Sequence, residues 1–189
     1  MKLIVIAGIV FGIIVVILVL AFVGINLDLI SYIATGSETL TPTGTPVGRA
    51  LVIYSPGLSG SAKDAATKIA KDITAKGYTV DLAGVRSADA SKSADYNVVI
   101  AGGPMYFGQV SASIANYLKT LSLRSDARLG VFATTGTSQY QESDFKMLTD
   151  QVTSLTSGGS FHGKIVLKLI LTGSETDANC ADLVSAVLQ

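Results

Sequence analysis

From Leu3 to Ile25 every residue is apolar or glycine, with no charge and no proline. As a helix, at about 1.5 Å per residue, such a run crosses the roughly 30 Å hydrocarbon core of a bilayer. A buried core helix of that length would keep a polar face. A secretory signal would have an apolar region of about 7–15 residues closed by a small-residue cleavage site. This run is longer, and it leaves through Val23-Gly24-Ile25-Asn26. The pattern predicts an uncleaved, single-pass transmembrane helix that meets the lipid bilayer through residues 3–25.

Beyond the span, Asn26 to Ile33 stays partly apolar and reads as the interfacial end of the anchor, with Tyr32 at headgroup level. From Ala34 to Gly48 the chain turns to Thr, Ser, Gly and Pro and loses all periodicity. Residues 1–30 therefore read as the anchor, 31–48 as a flexible linker and 49–189 as the domain it carries.

In that domain short β-rich runs alternate with helical patterns. Strands are predicted at Ala50–Tyr54, Tyr78–Ala83, Asn97–Ala101, Leu129–Thr134 and Ile165–Leu171. Ala62, Ala65, Ala66, Ile69, Ala70 and Ile73 recur at helical spacing, as do Val110, Ile114, Leu118 and Leu121. A third helix carries Phe145, Leu148, Val152 and Leu155 with Ser143 as its cap; the last runs from about Asp177 to Leu188, capped by Thr176 or Asp177. Gly84 to Tyr96 has room for a partial helix. The fold class is α/β, a five-stranded parallel sheet with helices on both faces. Ligands of such sheets bind beyond the carboxyl ends of the strands, where strand order reverses. The loops after the first, third and fourth strands are the ones to inspect.

Charge and composition remove several function classes. Fourteen basic and fourteen acidic residues give zero net charge, and they are interspersed. There is no basic patch for nucleic acid. One cysteine, Cys180, and one histidine, His162, exclude an intrachain disulfide, a cysteine-ligated cluster and a multi-histidine metal site. Cys180 shares helical spacing with Leu183, Val184 and Val187 and reads as a core thiol. His162 reads as an exposed loop residue. Asp81 and Arg86 fall near the end of the second strand with no evident partner. No Gly-x-Ser-x-Gly elbow supports hydrolase chemistry.

The first loop, Ser55-Pro56-Gly57-Leu58-Ser59-Gly60-Ser61-Ala62, opens directly into a helix. Small and hydroxyl residues there let amides turn inward at a helix N-terminus, which suits an anion and above all a phosphate. It is neither a Walker A loop nor a dinucleotide fingerprint. A ligand-free helix cap is the plainer alternative. The third strand continues into Gly102-Gly103-Pro104-Met105-Tyr106-Phe107-Gly108, and the fourth ends in Thr134-Thr135-Gly136-Thr137.

With Pro56-Gly57 taken as an insertion, these three segments resemble those of flavodoxins: a Ser/Thr-rich first loop, a Tyr-Asp-strand-Gly-x-Pro-x-Tyr-x-Gly segment (Ala94 to Gly108 is similar to it), and a third flavin-contacting loop. The resemblance covers nearly everything after the linker and implies the strand order 2-1-3-4-5 with FMN as cofactor. It further implies contacts from Ser55, Leu58, Ser59, Gly60, Ser61 and Ala62 to the phosphate. Gly103, Pro104, Met105, Tyr106, Phe107 and Gly108 would border the isoalloxazine, Gly102 to Pro104 as a turn and Tyr106 by stacking. Thr134, Thr135 and Gly136 would meet its polar edge. Tyr106 packed on a helix is the alternative. The chain departs from the family pattern at Ala62, which lacks the usual last hydroxyl, and it has no tryptophan.

The function implied is membrane-tethered electron transfer, or flavin-dependent reduction of a small acceptor such as a quinone, with an unknown redox partner. The rival is a flavin-free domain serving as a binding or structural module at the membrane. Lys2 before the span and Asp28 after it favour an external domain. The resemblance favours the cytoplasmic face, where reduced nicotinamides are found.

Overall fold

A computed structural model of the chain describes residues 2–26, 28–137, 139–157, 161 and 163–189, with the side chains of 2, 3 and 26 left aside. His162 lies outside the described residues. The apolar run forms one helix, α1 (Lys2–Asn26), whose side chains from Ile4 to Val23 are exposed. Residues 4–25 of it are long and apolar enough to cross a membrane. A 3-10 turn, Leu29–Ile33, follows.

The sheet has seven strands rather than five. Five are parallel: β2 (Gly48–Tyr54), β3 (Tyr78–Gly84), β4 (Val98–Tyr106), β6 (Arg128–Thr135) and β7 (Ile165–Leu171). They lie in the order β3-β2-β4-β6-β7, which is 2-1-3-4-5 among themselves. Two short antiparallel strands are added. β1 (Ser37–Leu40) pairs with β3 in the register Ser37↔Ala83 to Leu40↔Val80, and β5 (Gln109–Val110) folds back on the end of β4.

Part of the stretch read as a flexible linker is thus an edge strand. Three of its four residues are exposed, so backbone pairing rather than side-chain burial holds it, and no hydrophobic alternation announces it. The chain before β1 is stitched down as well. Ala34 O accepts the Arg86 amide at 2.9 Å, and Gly36 O accepts the Gly84 amide at 2.9 Å. A Cβ on Gly84 would lie 2.3 Å from Ala34 O, so this close approach requires glycine.

Helices α2 (Ser61–Ala75) and α5 (Thr176–Leu188) cover one face of the sheet, α3 (Ala112–Thr120) and α4 (Glu142–Thr156) the other. The strands' alternation divides the core. Ala50, Val52 and Ile100 face Ile69, Ile73 and Leu183, whereas Leu51, Ile53 and Val99 face Ile114, Leu118 and Leu148. Cys180 is buried in the first of these layers, and burial pushes its thiol up to about 12. Between β3 and β4 the chain makes a 3-10 stretch, Asp89–Asp95. The cap positions differ slightly from expectation: α4 starts after Gln141, with Ser143 inside its first turn, and α5 starts after Glu175.

Gly102-Gly103-Pro104 is not a turn. β4 runs through it to Tyr106, and all three residues are buried. Gly102 pairs with Phe132, whose ring would be 2.3 Å from a Cβ there, and Gly103 packs against Ile114, Ser111 and Ser55. These glycines make room for core side chains, which is why a Gly-Gly-Pro sequence can continue as strand.

Candidate functional site

The register of the parallel strands brings three loops to one edge. Tyr54 of β2 is level with Gly102 of β4, and Pro104 of β4 with Thr134 of β6. The segments after β2, β4 and β6 therefore emerge side by side at the carboxyl edge, flanking the point where β3 and β4 lie on opposite sides of β2.

In the first loop Ser55, Pro56 and Gly57 are buried, Leu58 and Ser59 are exposed, and Gly60 and Ser61 are half-buried. Gly57 (φ +70°) and Gly60 (φ +77°) adopt left-handed backbone. Gly60 is the N-cap of α2 and supplies no side-chain cap. The Ser59 and Ser61 hydroxyls stand 2.9 Å apart, beside the first-turn amides of α2 that have no intrahelical acceptor. Ala62 is buried in the core and offers the loop only its amide. Ser59, Ser61 and that helix end compose a cradle of donors suited to a phosphate.

Two members of the set are engaged elsewhere. Ser55 is fully buried, and its hydroxyl donates to the Asp28 carboxylate at 3.1 Å. Tyr106 reaches back across the sheet edge: the Leu58 amide donates to its hydroxyl at 2.8 Å. The phenol oxygen thus occupies a loop amide, and Tyr106 joins the first loop to the second.

The second loop is a two-residue hairpin. Phe107 (φ +51°) and Gly108 (φ +75°) turn the chain so that Tyr106 pairs with Gln109 and Met105 with Val110. Positive φ at both positions suits a hairpin turn, yet a bulky aromatic at the first is strained. α4 holds the turn: Gln151 Nε2 donates to Gly108 O at 2.6 Å, and its Oε1 accepts the Val110 amide at 3.0 Å. A Cβ on Gly108 would meet Met147 Sδ at 2.5 Å. Met105 and Pro104 are buried, Tyr106 is half-buried and Phe107 exposed. In the third loop Thr134 and Thr135 are buried, Gly136 is exposed, and the Thr135 and Thr137 hydroxyls lie 3.2 Å apart.

Asp28 is not among the site residues that the sequence reading names. It is 3% exposed, in left-handed backbone at the exit of α1, and its carboxylate accepts from the Ser55 hydroxyl and from the Ser113 amide (3.3 Å) and hydroxyl. Ser113 is in the first turn of α3, whose own N-cap Ser111 makes no side-chain cap, so Asp28 caps that helix from 85 residues away. A signal did exist: Asp28 is the only charged residue between Lys2 and Glu38. A cavity of about 310 Å³ lies between the anchor exit and the hairpin, bordered by Ile25, Tyr106, Phe107 and Ser111. Another of about 320 Å³, around Arg128 and Gln189, opens at the amino edge, away from all three loops.

Asp81, unpartnered in the sequence reading, lies inside β3 and accepts from Thr39 Oγ1 (2.5 Å), the Tyr96 hydroxyl (2.8 Å) and Arg49 (3.0 Å). It ties β1 to the sheet and serves the fold. Among the described residues no group of three or more metal-ligating side chains occurs.

No protein-family model matches the chain, and no curated protein is similar to it in sequence. Solved structures do match. A flavodoxin of Streptococcus pneumonia TIGR4 superposes with a TM-score of 0.54 at 17% identity, over 74% of this chain and 97% of that one. Oxidised flavodoxin 1 of Bacillus cereus gives 0.52 at 12%, over 74% and 96%. An NADH:FMN oxidoreductase in its apo form gives 0.58 at 10%, over 75% and 88%.

Proposed function

We propose that this chain, which has the flavodoxin-like fold, is a membrane-tethered FMN protein that carries electrons or reduces a small acceptor such as a quinone. The observation that carries this reading is the meeting of three loops at the carboxyl edges of β2, β4 and β6, with the Tyr106 hydroxyl bonded to the Leu58 amide. Ser59, Ser61 and the first-turn amides of α2 would hold the phosphate. The Tyr106 ring and the backbone of the hairpin, facing Thr134, Thr135 and Gly136, would border the isoalloxazine. FMN would supply the hydride or single-electron chemistry when bound. The chain's part is to bind and orient it: Gln151 fixes the hairpin, and the buried strand ends fix the spacing of the loops. The names of the structural neighbours, flavodoxins and an FMN oxidoreductase, support the cofactor.

Tethering by α1 rests on its length and its uninterrupted apolar surface. We assign the domain to the cytoplasmic face, where reductants for a flavin are at hand. Protease added to right-side-out spheroplasts should leave it intact, and cleavage before lysis would place it outside. The cofactor is tested by the visible spectrum of the purified full chain and by its titration with FMN.

A second reading, a flavin-free module at the membrane, is favoured by two contacts. Asp28 takes the Ser55 hydroxyl and Tyr106 takes the Leu58 amide, so part of the cradle is satisfied within the chain. A protein that lacks flavin absorbance and does not bind added FMN would establish this reading instead.

A further inference from the structure

We propose that the carboxyl edge of the sheet is a membrane-docking face, with Phe107 inserted into the bilayer interface beside α1, so that the three loops lie against the lipid surface. The inference rests on the anchor reading above and extends it from a tether to a fixed orientation.

Phe107 is 82% exposed, more than any described large apolar side chain of α1 itself. Its ring lies 6.4 Å from that of Phe22. Phe22 is three residues inside Ile25, about 4.5 Å along the axis at the helical rise, so the hairpin tip reaches back alongside the last turn of the span. A helix that enters lipid at this point carries Phe107 into the interfacial layer, where aromatic rings are favoured. The strained turn and the Gln151 clamp hold the ring outward rather than letting it fold onto the domain.

The rest of the edge agrees. Outside α1, the large apolar side chains more than half exposed among the described residues are Leu29, Tyr32, Ile33, Leu58, Phe107 and Tyr140 at this edge, and Val47 at the opposite one. The Arg86 guanidinium lies 4.5 Å over the Tyr32 ring, an apolar body with a cationic tip suited to headgroups. The chain is also tied down from Asp28 onward: Asp28 is bonded to Ser55 and Ser113, Ala34 to Arg86, and β1 is paired with β3. The acid closest to the span is itself buried, which removes a carboxylate from the docking face.

The absence of tryptophan makes the test direct. Phe107→Trp, Phe22→Trp and Val47→Trp in the full chain each carry a single reporter, read in phosphatidylcholine vesicles with and without brominated acyl chains. Docking is supported if Phe107→Trp emits at short wavelength and loses most of its emission to the brominated lipid, as Phe22→Trp does, while Val47→Trp keeps a water-like spectrum and is not quenched. Water-like, unquenched emission from Phe107→Trp beside a quenched Phe22→Trp would overturn the docking and leave the anchor standing. Failure to quench Phe22→Trp would overturn both. Leu58→Trp gives the same readout if Phe107→Trp does not fold.

Discussion

The Asp28 carboxylate accepts a hydrogen bond from the Ser55 hydroxyl at 3.1 Å, joining the exit of the apolar helix to the first residue of the phosphate-type loop. Both residues are buried, and Ser113 at the head of α3 completes the contact. Replacing Asp28 with alanine removes the carboxylate acceptor of three buried donors, the Ser55 hydroxyl and the Ser113 amide and hydroxyl. Loss of such a partner costs about 1–3 kcal/mol. Urea denaturation of the full chain in detergent should show a lowered midpoint for Asp28→Ala and a smaller decrease for Ser55→Ala. Equal midpoints for Asp28→Ala and wild type would show that the contact contributes nothing to stability.

The same contact changes where the domain can be cut. A fragment of residues 28–189 keeps Asp28, the Ala34 contact and β1, whereas 49–189 loses all three. Both should leave the membrane fraction, but 28–189 should melt at a distinctly higher temperature. Identical melting would mean that the segment before β2 is only a linker.

Much of the fold was legible because the five parallel strands are covered by helices on both faces and read as short apolar runs such as Ala50–Tyr54 and Ile165–Leu171. What escaped was held by backbone or by distance. β1 exposes three of its four side chains, and its pairing leaves no apolar trace. The β4–β5 turn is Phe107-Gly108 rather than the Asn-Gly that would announce a hairpin. The Asp28–Ser113 contact spans 85 residues and has no local spacing to detect. The three candidate loops follow the strands the sequence suggests, except that Gly102 to Pro104 continues β4 instead of turning. That Tyr106 reaches the Leu58 amide depends on the register of β2 and β4, which single segments do not reveal.

Asp81 gives the fold a pH dependence. Burial alone would raise its carboxyl, but hydrogen bonds from Thr39, Tyr96 and Arg49, together with the Arg49 charge, outweigh burial and hold it below the usual range. A carboxyl lowered in the folded state contributes stability that is fully present above the unfolded value of about 3.9. That contribution is lost as pH falls through the folded value. Urea midpoints measured down to about pH 2 should therefore fall on the acid side, and Asp81→Asn should flatten the fall while lowering stability at neutral pH. An unchanged acid limb in Asp81→Asn would assign the effect to other carboxylates.

Tyr106 is expected to separate ring from hydroxyl. Tyr106→Phe keeps the ring and frees the Leu58 amide, so FMN should bind as tightly as to wild type or more tightly. Tyr106→Ala removes the aromatic contact, and the lost stacking is worth about 0.5–1.5 kcal/mol. Isothermal titration distinguishes them. Equal weakening in both variants would place the hydroxyl, rather than the ring, against the ligand.

The central claim, that the cradle at Ser59 and Ser61 holds the phosphate of FMN, is tested most directly by titrating the full chain with FMN and with riboflavin, in wild type and in the Ser59→Ala/Ser61→Ala double variant. Each charge-assisted hydrogen bond lost is expected to cost about 1.5–3 kcal/mol. Wild type should bind FMN much more tightly than riboflavin, and the double variant should lose most of that preference with its riboflavin affinity unchanged. No binding of FMN by wild type, or equal weakening of both ligands in the variant, would contradict the account.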